Sequence, residues 1–460
     1  MLRGRRAKSR RRAKSRRRAK SASLKRPALT PLLDPARDTR GFSRRGGRVF
    51  CEEVDLEQVV AHAGTPAYVY SAAAISAAYR ELDSAVGRLP HTICYAVKAN
   101  SNLSILRLLA RLGAGFDIVS GGELYRLRRA GIPGGRVVFS GVGKSREEIR
   151  EALRARIHLF NIESEAELDL LAAEASRLRW RAPAAVRVNP DVVAGGHRHI
   201  STGRHQHKFG LDWTDARRLY LQHRDSRWIE WQGISAHLGS QILTVAPFER
   251  GLQRLAGYFT ELAGAGIHLP YLDFGGGLGV RYAREKPPPL RAYARALAAI
   301  VRPLGCHLLL EPGRSIVASA GVLLTRVLYT KRNRGKEFVV VDAAMNDFMR
   351  PVLYDAVHPI TPAALPQTSS LAANRPATHK LDRVDVVGPV CETGDCFLHD
   401  WPLGKVAAGD LLVLWGAGAY GFVEASNYNS RPRPAELLVD GKSVRVIRRR
   451  ESRAELIRGE

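Results

Sequence analysis

One lysine at the end of a short apolar run is the first residue whose position suggests chemistry. Lys98 follows Tyr95, Ala96 and Val97, so its amine is expected to emerge from an apolar base. An amine partly removed from water has a lowered pKa and can attack a carbonyl carbon, as Schiff-base formation requires. A single lysine in such a place is more often a surface charge, so its surroundings decide between the two interpretations.

Glycines and hydroxyls after later apolar runs supply groups that bind anions. The candidates for phosphate contacts are Ser240, Gly275, Gly276, Gly277, Gly313 and Arg314. Clustered backbone N–H groups in such loops hold phosphate, although glycine after a strand is also ordinary turn chemistry. The pattern is neither GxGxxG nor a Walker loop, so it predicts an anion site without naming a nucleotide.

Two titratable residues, Glu311 and His237, also follow apolar runs of this kind. A carboxylate such as Glu311 can hold the proton on the nitrogen of a pyridine ring, which keeps that ring an electron sink. His237 can stack on such a ring, or it can be a structural histidine held by hydrogen bonds. Together with Lys98, these residues favour a site for a pyridine cofactor that carries a carbonyl and a phosphate.

Cys391 lies in an acidic, glycine-containing loop beside Glu392. These neighbours favour a protonated thiol that donates a proton, whereas an ordinary free cysteine is buried and inert. A redox or metal pair with Cys396 is a weaker alternative, because no further ligands stand nearby in the sequence.

Four histidines also raise the question of a metal site: His197, His199, His205 and His207. Their spacing is irregular and they fall in a predicted loop, so no metal site is predicted.

Short apolar runs alternate with stretches of helical period from about residue 65 onward, which is typical of repeated strand and helix units. The predicted strands are Thr92–Val97, Gly115–Val119, Arg136–Phe139, Ile157–Asn161, Ala184–Val188, Gly233–Ala236, Tyr271–Phe274 and His307–Leu310. Eight parallel strands favour a closed (β/α)8 barrel, because an open doubly wound sheet more often has five or six. The candidate residues follow these strands, so we expect them at the carboxyl-terminal rim.

Beyond residue 317 strands occur without intervening helices, which predicts a β domain. These strands are Val322–Tyr329, Phe338–Val341, Val384–Val387, Leu411–Leu414, Glu436–Val439 and Val444–Ile447. We therefore predict an α/β barrel over 71–318 and a β domain over 319–460, and we expect a lead-in segment over 49–70 to join the β domain by adding a strand to it. Residues 361–378 are predicted to be a polar connecting loop.

Residues 1–48 carry most of the net charge. They hold 19 Lys or Arg against two Asp, a contribution of +17, which leaves +11 of the total +28 for the other 412 residues. Repeats of RRAKS and the scarcity of apolar residues predict a disordered tail. A solvated tail or a mis-assigned start is the simplest interpretation, while a polyanion-binding arm or a transit peptide stays open.

The bulk composition predicts a water-soluble protein. Hydrophobic residues make up 45% and charged residues 25%, and no stretch is long enough to cross a membrane. Five scattered cysteines do not form a disulfide framework, so a reducing compartment, the cytoplasm, is expected.

Ten motifs together resemble those of the diaminopimelate decarboxylase family, a branch of the alanine racemase-like pyridoxal-phosphate enzymes. They are YAVKAN (95–100), FDIVSGGEL (116–124), ISTG (200–203) with KFG (208–210), HLGSQ (237–241), GGG (275–277), EPGRS (311–315), MNDFMRPVLY (345–354), CETGD (391–395), GAYGF (418–422) and SNYNSRPRPAE (426–436). The resemblance spans about Val54 to Gly441 and implies pyridoxal 5'-phosphate as cofactor. It also implies a TIM-type barrel with a C-terminal β domain.

By this resemblance, the two catalytic residues are Lys98, which would bind the cofactor as a Schiff base, and Cys391, which would donate a proton from the partner subunit of a homodimer. The implied cofactor-binding residues are Lys98, His237, Ser240, Gly275, Gly276, Gly277, Glu311, Gly313, Arg314 and Tyr420. The implied substrate-binding residues are Arg314, Arg350, Tyr354, Glu392 and Tyr420. Thr393 replaces the usual serine of CESGD, and Gly416 replaces a commonly acidic residue.

The choice of substrate has a physical argument, because diaminopimelate carries a second amino-acid end that ornithine lacks. Arg350 and Tyr354 can grip that distant carboxylate with a guanidinium fork. The sequence therefore predicts decarboxylation of meso-diaminopimelate to L-lysine and CO2, the last step of lysine biosynthesis. Alternatives are a carboxynorspermidine-type or ornithine/arginine-type decarboxylase or, in a different class, nucleic-acid binding through the basic tail.

Overall fold

A computed structural model describes residues 39–193, 208–365 and 382–460 of the chain. The described chain begins with a small antiparallel sheet of β1 (Phe42–Arg45), β2 (Arg48–Cys51) and β3 (Val54–Asp55). The prediction of a disordered tail over 1–48 is wrong for its last residues. Phe42 is buried and its ring lies edge-on to Trp415 at 5.7 Å, so one aromatic side chain anchors an otherwise polar segment.

Eight parallel strands close into a barrel. They are β5 (His91–Ala96), β6 (Gly115–Ile118), β7 (Val137–Phe139), β8 (Leu159–Ile162), β9 (Ala182–Arg187), β10 (Ile229–Ser235), β11 (Tyr271–Asp273) and β12 (His307–Leu310), preceded by β4 (Ala67–Ser71). Consecutive barrel strands pair side by side, and β12 pairs with β5 to complete the ring. The predicted barrel is confirmed.

Helices precede the barrel, connect its strands and follow its last strand. In chain order they are α1 (Leu56–Ala61), α2 (Ala72–Val86), α3 (Leu103–Arg111), α4 (Gly121–Arg129), α5 (Arg146–Arg154), α6 (Glu165–Leu178), α7 (Trp213–Gln222), α8 (Ala246–Gly264), α9 (Leu290–Val301) and α10 (Arg314–Val317). In α5, Ser145 and Glu148 form a reciprocal capping box, and Ile149, Ala152 and Leu153 form its buried face. Each described helix is too short or too polar to cross a lipid bilayer.

The barrel interior changes from apolar to polar along its axis. Side chains from five strands around the ring form an apolar cluster: Cys94, Val138, Leu159, Ala185 and Leu309. Alternate strand residues face the same side, so the residues two positions later also point inward. These are Asn161 in β8 and Glu311 directly after β12. The period of two therefore places polar side chains at the carboxyl-terminal rim.

The C-terminal part forms a nine-stranded sheet that includes β4. Its other strands are β13 (Gly321–Asn333), β14 (Lys336–Val341), β15 (Ile360–Pro362), β16 (Arg383–Val387), β17 (Cys396–Pro402), β18 (Leu411–Leu414), β19 (Ala435–Asp440) and β20 (Ser443–Arg448). The short helices α11 (Arg350–Tyr354) and α12 (Arg453–Leu456) accompany this sheet. β4 pairs with β13 and β19, so a strand from before the barrel lies within the later sheet.

Two of these strands, β15 and β17, are not among those predicted from the sequence. β15 overlaps the first two residues of the predicted polar loop, and most of that loop, from 366 onward, lies outside the described residues. β17 contains His399 and Asp400 among its apolar residues and is interrupted by bulges, so its alternation is irregular.

Candidate active site

Lys98 lies in a short 3-10 turn directly after β5, at the carboxyl-terminal rim. Its Nζ donates a hydrogen bond to Oδ2 of Asp117, a fully buried carboxylate on β6. Burial lowers the pKa of Lys98, but the charges of Asp117 and Glu311 outweigh it and raise the pKa overall. The expectation that the pKa of Lys98 is lowered is therefore wrong for the chain without its cofactor. The expectation took account of the apolar strand but not of Asp117 on the neighbouring strand.

Glu311 lies just after β12 in a buried network of polar side chains. Its Oε1 accepts from Ser140 Oγ at 3.3 Å, and Asn161 Nδ2 donates to Ser140 Oγ at 3.1 Å and to Asp273 Oδ2 at 2.7 Å. Desolvation, with the nearby charges of Asp117 and Asp273, raises the pKa of Glu311 well above its usual range. Glu311 therefore carries a proton at the floor of the rim that it can share with a ring nitrogen.

His237 follows β10 and is fixed by the glycine loop after β11. Gly276 N donates to His237 Nδ1 at 3.1 Å, so Nδ1 is an acceptor and the proton of the neutral ring is on Nε2. Burial, with the charges of Arg187 and Lys98, lowers the pKa of His237 well below its usual range. The ring is thus uncharged and has one defined orientation.

The glycine loop packs too closely for side chains. A Cβ on Gly276 would lie 2.2 Å from the carbonyl oxygen of Glu311, and one on Gly277 would lie 2.4 Å from that of Gly239. Gly277 also has φ of +99°, which L side chains rarely adopt. At Gly313 a Cβ would lie 2.8 Å from Ala99 Cβ, so backbone N–H groups at these loops stay open to an anion.

Arg314, the first residue of α10, is a buried cation beside these loops. Its Nη2 donates to Ser240 Oγ at 2.9 Å and its Nη1 to Tyr282 Oη at 2.6 Å. The guanidinium lies over the ring of Tyr420, 4.8 Å from the centroid. Its Nε is buried and has no hydrogen-bond partner among the described residues, so one donor is left for an anion.

A second buried guanidinium stands among aromatic rings at the pocket mouth. Arg350 lies 5.2 Å from the ring centroid of Tyr282, 5.5 Å from that of Tyr354 and 5.9 Å from that of Tyr420. Its Nε donates to His358 Nε2 at 3.2 Å, while His358 Nδ1 contacts the carbonyl of Trp415 at 2.9 Å. Nε2 of His358 is therefore the acceptor and its proton is on Nδ1, so the His358 ring orients the guanidinium of Arg350.

A carboxylate that sequence analysis did not identify lies near both arginines. Glu424 lines the same pocket, and its Oε2 is buried without a hydrogen-bond partner among the described residues. Burial raises the pKa of Glu424, and the charges of Arg350 and Arg314 lower it, with a net upward shift. An acceptor in this position suits a cationic group of a ligand.

These side chains share one pocket of about 430 Å³. Ten of the predicted site residues line it: Lys98, His237, Ser240, Gly277, Glu311, Gly313, Arg314, Arg350, Tyr354 and Tyr420. Gly275 and Gly276 lie behind the lining, against His237 and Glu311. The volume suits a small cofactor with a small substrate.

Comparisons with known proteins agree with this geometry. Residues 72–318 match the pyridoxal binding domain of the pyridoxal-dependent decarboxylases. The diaminopimelate decarboxylase of Pseudomonas aeruginosa is 49% identical over 419 residues, which cover 91% of this chain and 98% of that one. That of Vibrio cholerae is 45% identical, with 89% and 96% covered. This chain belongs to the diaminopimelate decarboxylase family.

Solved structures of the diaminopimelate decarboxylase family share the fold along most of this chain. The enzyme of Helicobacter pylori, crystallised with L-lysine, is 42% identical and superposes with a TM-score of 0.82, covering 88% of this chain and 98% of that one. The enzyme of M. jannaschii, also with L-lysine, is 35% identical with a TM-score of 0.85, covering 92% and 98%. The barrel with an attached β domain is therefore the architecture of the family.

The pocket fits the cofactor of the family, pyridoxal 5'-phosphate. The unpartnered Nε of Arg314 and the glycine loops that exclude Cβ atoms suit a phosphate, and Glu311, a carboxyl whose raised pKa lets it share a proton, suits a pyridine nitrogen. The amine of Lys98 stands in the same pocket as these groups. Each chemical feature of the cofactor thus has a complementary group.

Cys391 and Glu392 do not reach this pocket within the same chain. Both are exposed on the hairpin loop between β16 and β17, where Cys391 N donates to Asn429 Oδ1 at 3.1 Å and Tyr428 Oη donates to Glu392 Oε1 at 2.6 Å. The histidines between 197 and 207, and the tail from 1 to 38, lie outside the described residues.

Four residues that contact the site from other segments are not among the predicted ones: Asp117, Asp273, Tyr282 and His358. Asp117 and Asp273 stand at inward positions of β6 and β11, so the period of two could have indicated them. Gly416 is where a side chain would meet the ring of Tyr282 at 2.9 Å, so the departure from the usual acidic residue makes room for that ring. Nothing in the sequence pairs His358 with Arg350.

Proposed function

We propose that this chain decarboxylates meso-diaminopimelate to L-lysine and CO2 as a homodimer whose active sites use residues of both subunits. The observation that supports the substrate is a pair of buried guanidiniums, Arg314 and Arg350, in the pocket that also contains Lys98. A diamino acid with two carboxylates needs a second cationic contact far from its reacting end.

Different residues would bind three parts of pyridoxal phosphate: its aldehyde carbon, its ring and its phosphate. Lys98 would hold the aldehyde carbon, Glu311 the ring nitrogen and His237 one face of the ring, with the phosphate at Ser240, Gly277, Gly313 and Arg314. When bound, the ring withdraws electrons from the carbon that loses CO2. Glu311 would pass its proton to the ring nitrogen, and the negative charge left on its carboxylate would keep that nitrogen protonated.

The far end of the substrate would lie at the pocket mouth. Arg350 binds its carboxylate, oriented by His358, and the hydroxyl of Tyr354 adds a second contact. Glu424 accepts the distal ammonium through its unpartnered oxygen, which adds to the role proposed for Glu392. Ornithine offers no group for the Arg350 fork, which would then stay buried without its anion.

Cys391 of one subunit would protonate the carbon from which CO2 has left in the pocket of the other. Support for the dimer comes from apolar side chains exposed near the hairpin loop: Val352, Leu353 and Tyr428 are 38%, 42% and 44% exposed. A Cβ on Gly394 would lie 3.8 Å from Val352, so this surface adjoins the loop. A second copy would cover it and bring Cys391 to the neighbouring pocket.

Mixing two inactive variants tests the shared site. Lys98→Ala and Cys391→Ala homodimers are each inactive, and each mixed dimer contains one site with both residues intact. An equal mixture that is allowed to exchange subunits recovers about a quarter of wild-type turnover. Failure to recover turnover, when size measurements show that mixed dimers form, would contradict shared sites.

The activity itself is tested by product analysis with the holoenzyme. We expect CO2 and L-lysine from meso-diaminopimelate, and little turnover of ornithine, arginine or a carboxynorspermidine-type substrate. Arg350→Ala raises the KM for diaminopimelate by about 10- to 150-fold, since a charge-assisted bidentate contact contributes roughly 1.5–3 kcal/mol. The exposed Arg291→Ala serves as the matched control. Unchanged KM in Arg350→Ala, or rapid turnover of ornithine, would refute the substrate assignment.

We place the protein in the cytoplasm. Its proposed proton donor is an exposed free thiol, and a reducing compartment keeps such a thiol reduced. Fractionation of cells followed by immunodetection tests this placement, and recovery of the protein outside the cytoplasmic fraction would overturn it.

A further inference from the structure

A cluster of potential metal ligands lies on the β domain, apart from the pocket lining. Asp385 on β16 and Cys396 and His399 on β17 each present one ligand atom, and these three atoms lie within 4.8 Å of one another. His399 Nδ1 is 2.7 Å from Asp385 Oδ2 and 3.4 Å from Cys396 Sγ. The expectation that no further ligand stands near Cys396 is wrong, because His399 is three residues away in the sequence and Asp385 lies on the neighbouring strand.

A β-bulge brings the two residues of β17 together. Residues three apart on a regular strand project to opposite faces. Cys396 pairs with Val387 and Leu398 with Val386, so β17 carries an extra residue at this point. Such a bulge redirects the side chains that follow it, and His399 therefore faces the same side as Cys396.

The carboxylate of Asp385 is held in a fixed orientation. Asp400 N donates to its Oδ1 at 2.9 Å, which leaves Oδ2 directed at His399 and at Lys336, whose Nζ is 2.6 Å away. The Asp385 side chain is 3% exposed, while the His399 side chain is 73% exposed. The cluster thus has a rigid carboxylate at its base and an opening to solvent.

The arrangement does not suit a catalytic triad. In a triad the thiol and the carboxylate contact opposite nitrogens of the imidazole, so that a proton can pass through the ring. Here both lie at Nδ1 of His399, and the three groups converge on one point. Convergent thiolate, imidazole and carboxylate ligands are those that zinc prefers.

We propose that Asp385, Cys396 and His399 form a binding site for a divalent metal ion of the zinc class, with solvent completing a tetrahedral coordination. The ion replaces the ammonium of Lys336 as the counter-charge of Asp385. Lys336 is half-exposed, so it can turn toward solvent when the ion binds. No residue of this site lines the cofactor pocket, so the proposal does not depend on the proposed decarboxylation.

Cobalt(II) is the probe, because a sulfur-ligated tetrahedral cobalt ion absorbs in the red part of the visible spectrum. Metal-free holoenzyme is titrated with Co2+, and Zn2+ is then added to displace it. We expect one cobalt ion to bind per chain and to give this band. The band is lost in Cys396→Ser, and the affinity for cobalt falls by about tenfold in His399→Ala. Cys391→Ser, a nearby exposed thiol outside the cluster, retains the band.

Lys336→Ala distinguishes a metal site from a purely structural ion pair. Removing the competing ammonium tightens cobalt binding by about two- to fivefold, whereas a structural role would leave cobalt affinity unchanged. Decarboxylase activity of Cys396→Ser at the wild-type level shows that the variant is folded. A missing band at saturating Co2+, a band that survives Cys396→Ser, or unchanged affinity in Lys336→Ala would each overturn the proposal.

Discussion

The Gly276→Ala substitution tests whether the glycine loop is shaped by its contact with the strand that carries Glu311. The added Cβ would lie 2.2 Å from the carbonyl oxygen of Glu311, and ordinary contact begins at 3.4 Å, so loop and strand must separate by about 1.2 Å. Gly276 is buried, and overpacking of a well-packed site costs roughly 1–3 kcal/mol. The lower unfolded-state entropy of alanine returns only about 0.4–1 kcal/mol.

Two measurements follow from this displacement. Urea unfolding is expected to show a net loss of roughly 1–2 kcal/mol, and cofactor titration a dissociation constant raised at least about tenfold, because Glu311 and His237 both move. Gly257→Ala is the matched control: it lies in α8 with no atom within 4 Å of the new Cβ. That change should stabilise the protein by about 0.5–1 kcal/mol. Wild-type stability and cofactor affinity in Gly276→Ala would refute the reasoning.

The further predictions concern three titratable groups in or beside the pocket: His358, Glu424 and Glu311. The longer amide of His358→Gln can place its oxygen where Nε2 of His358 accepts from Arg350, whereas the shorter amide of His358→Asn cannot reach that point. The KM for diaminopimelate should therefore rise about tenfold in His358→Asn and less in His358→Gln. Burial lowers the pKa of His358 to about 3, so wild-type stability falls with pH below about 6.5, by up to roughly 1.4 kcal/mol per unit; urea unfolding of His358→Gln should show a shallower slope. Glu424→Gln should raise the KM without lowering kcat in steady-state assays, and an unchanged KM would remove Glu424 from the substrate site. Lys98 lowers the pKa of Glu311, so in cofactor-free Lys98→Ala that pKa is raised further. The stability that Glu311 contributes is full below its unfolded-state pKa of about 4.3 and is lost over a wider range of rising pH than in wild type, as pH-dependent unfolding can check.

Much of the barrel could be predicted because its signal is local. Every barrel strand ends within two residues of a glycine or polar residue, and alternation with helical stretches leaves few topologies. The predicted rim residues Lys98, His237 and Glu311 follow from this periodicity alone, since strand ends of a parallel barrel meet at one rim. The strand β17 could not be found this way, because its bulges break the period.

The amino-acid sequence by itself determined the strand periodicity, the positions of rim residues and the motifs that the family shares, because each depends on neighbouring residues. Tertiary structure alone decided the protonation of Lys98 beside Asp117, the placement of Glu424 beside two arginines and the convergence of Asp385 with Cys396 and His399. These depend on charge and distance between segments that are far apart in the chain, and electrostatic interactions depend on separation in space and on burial.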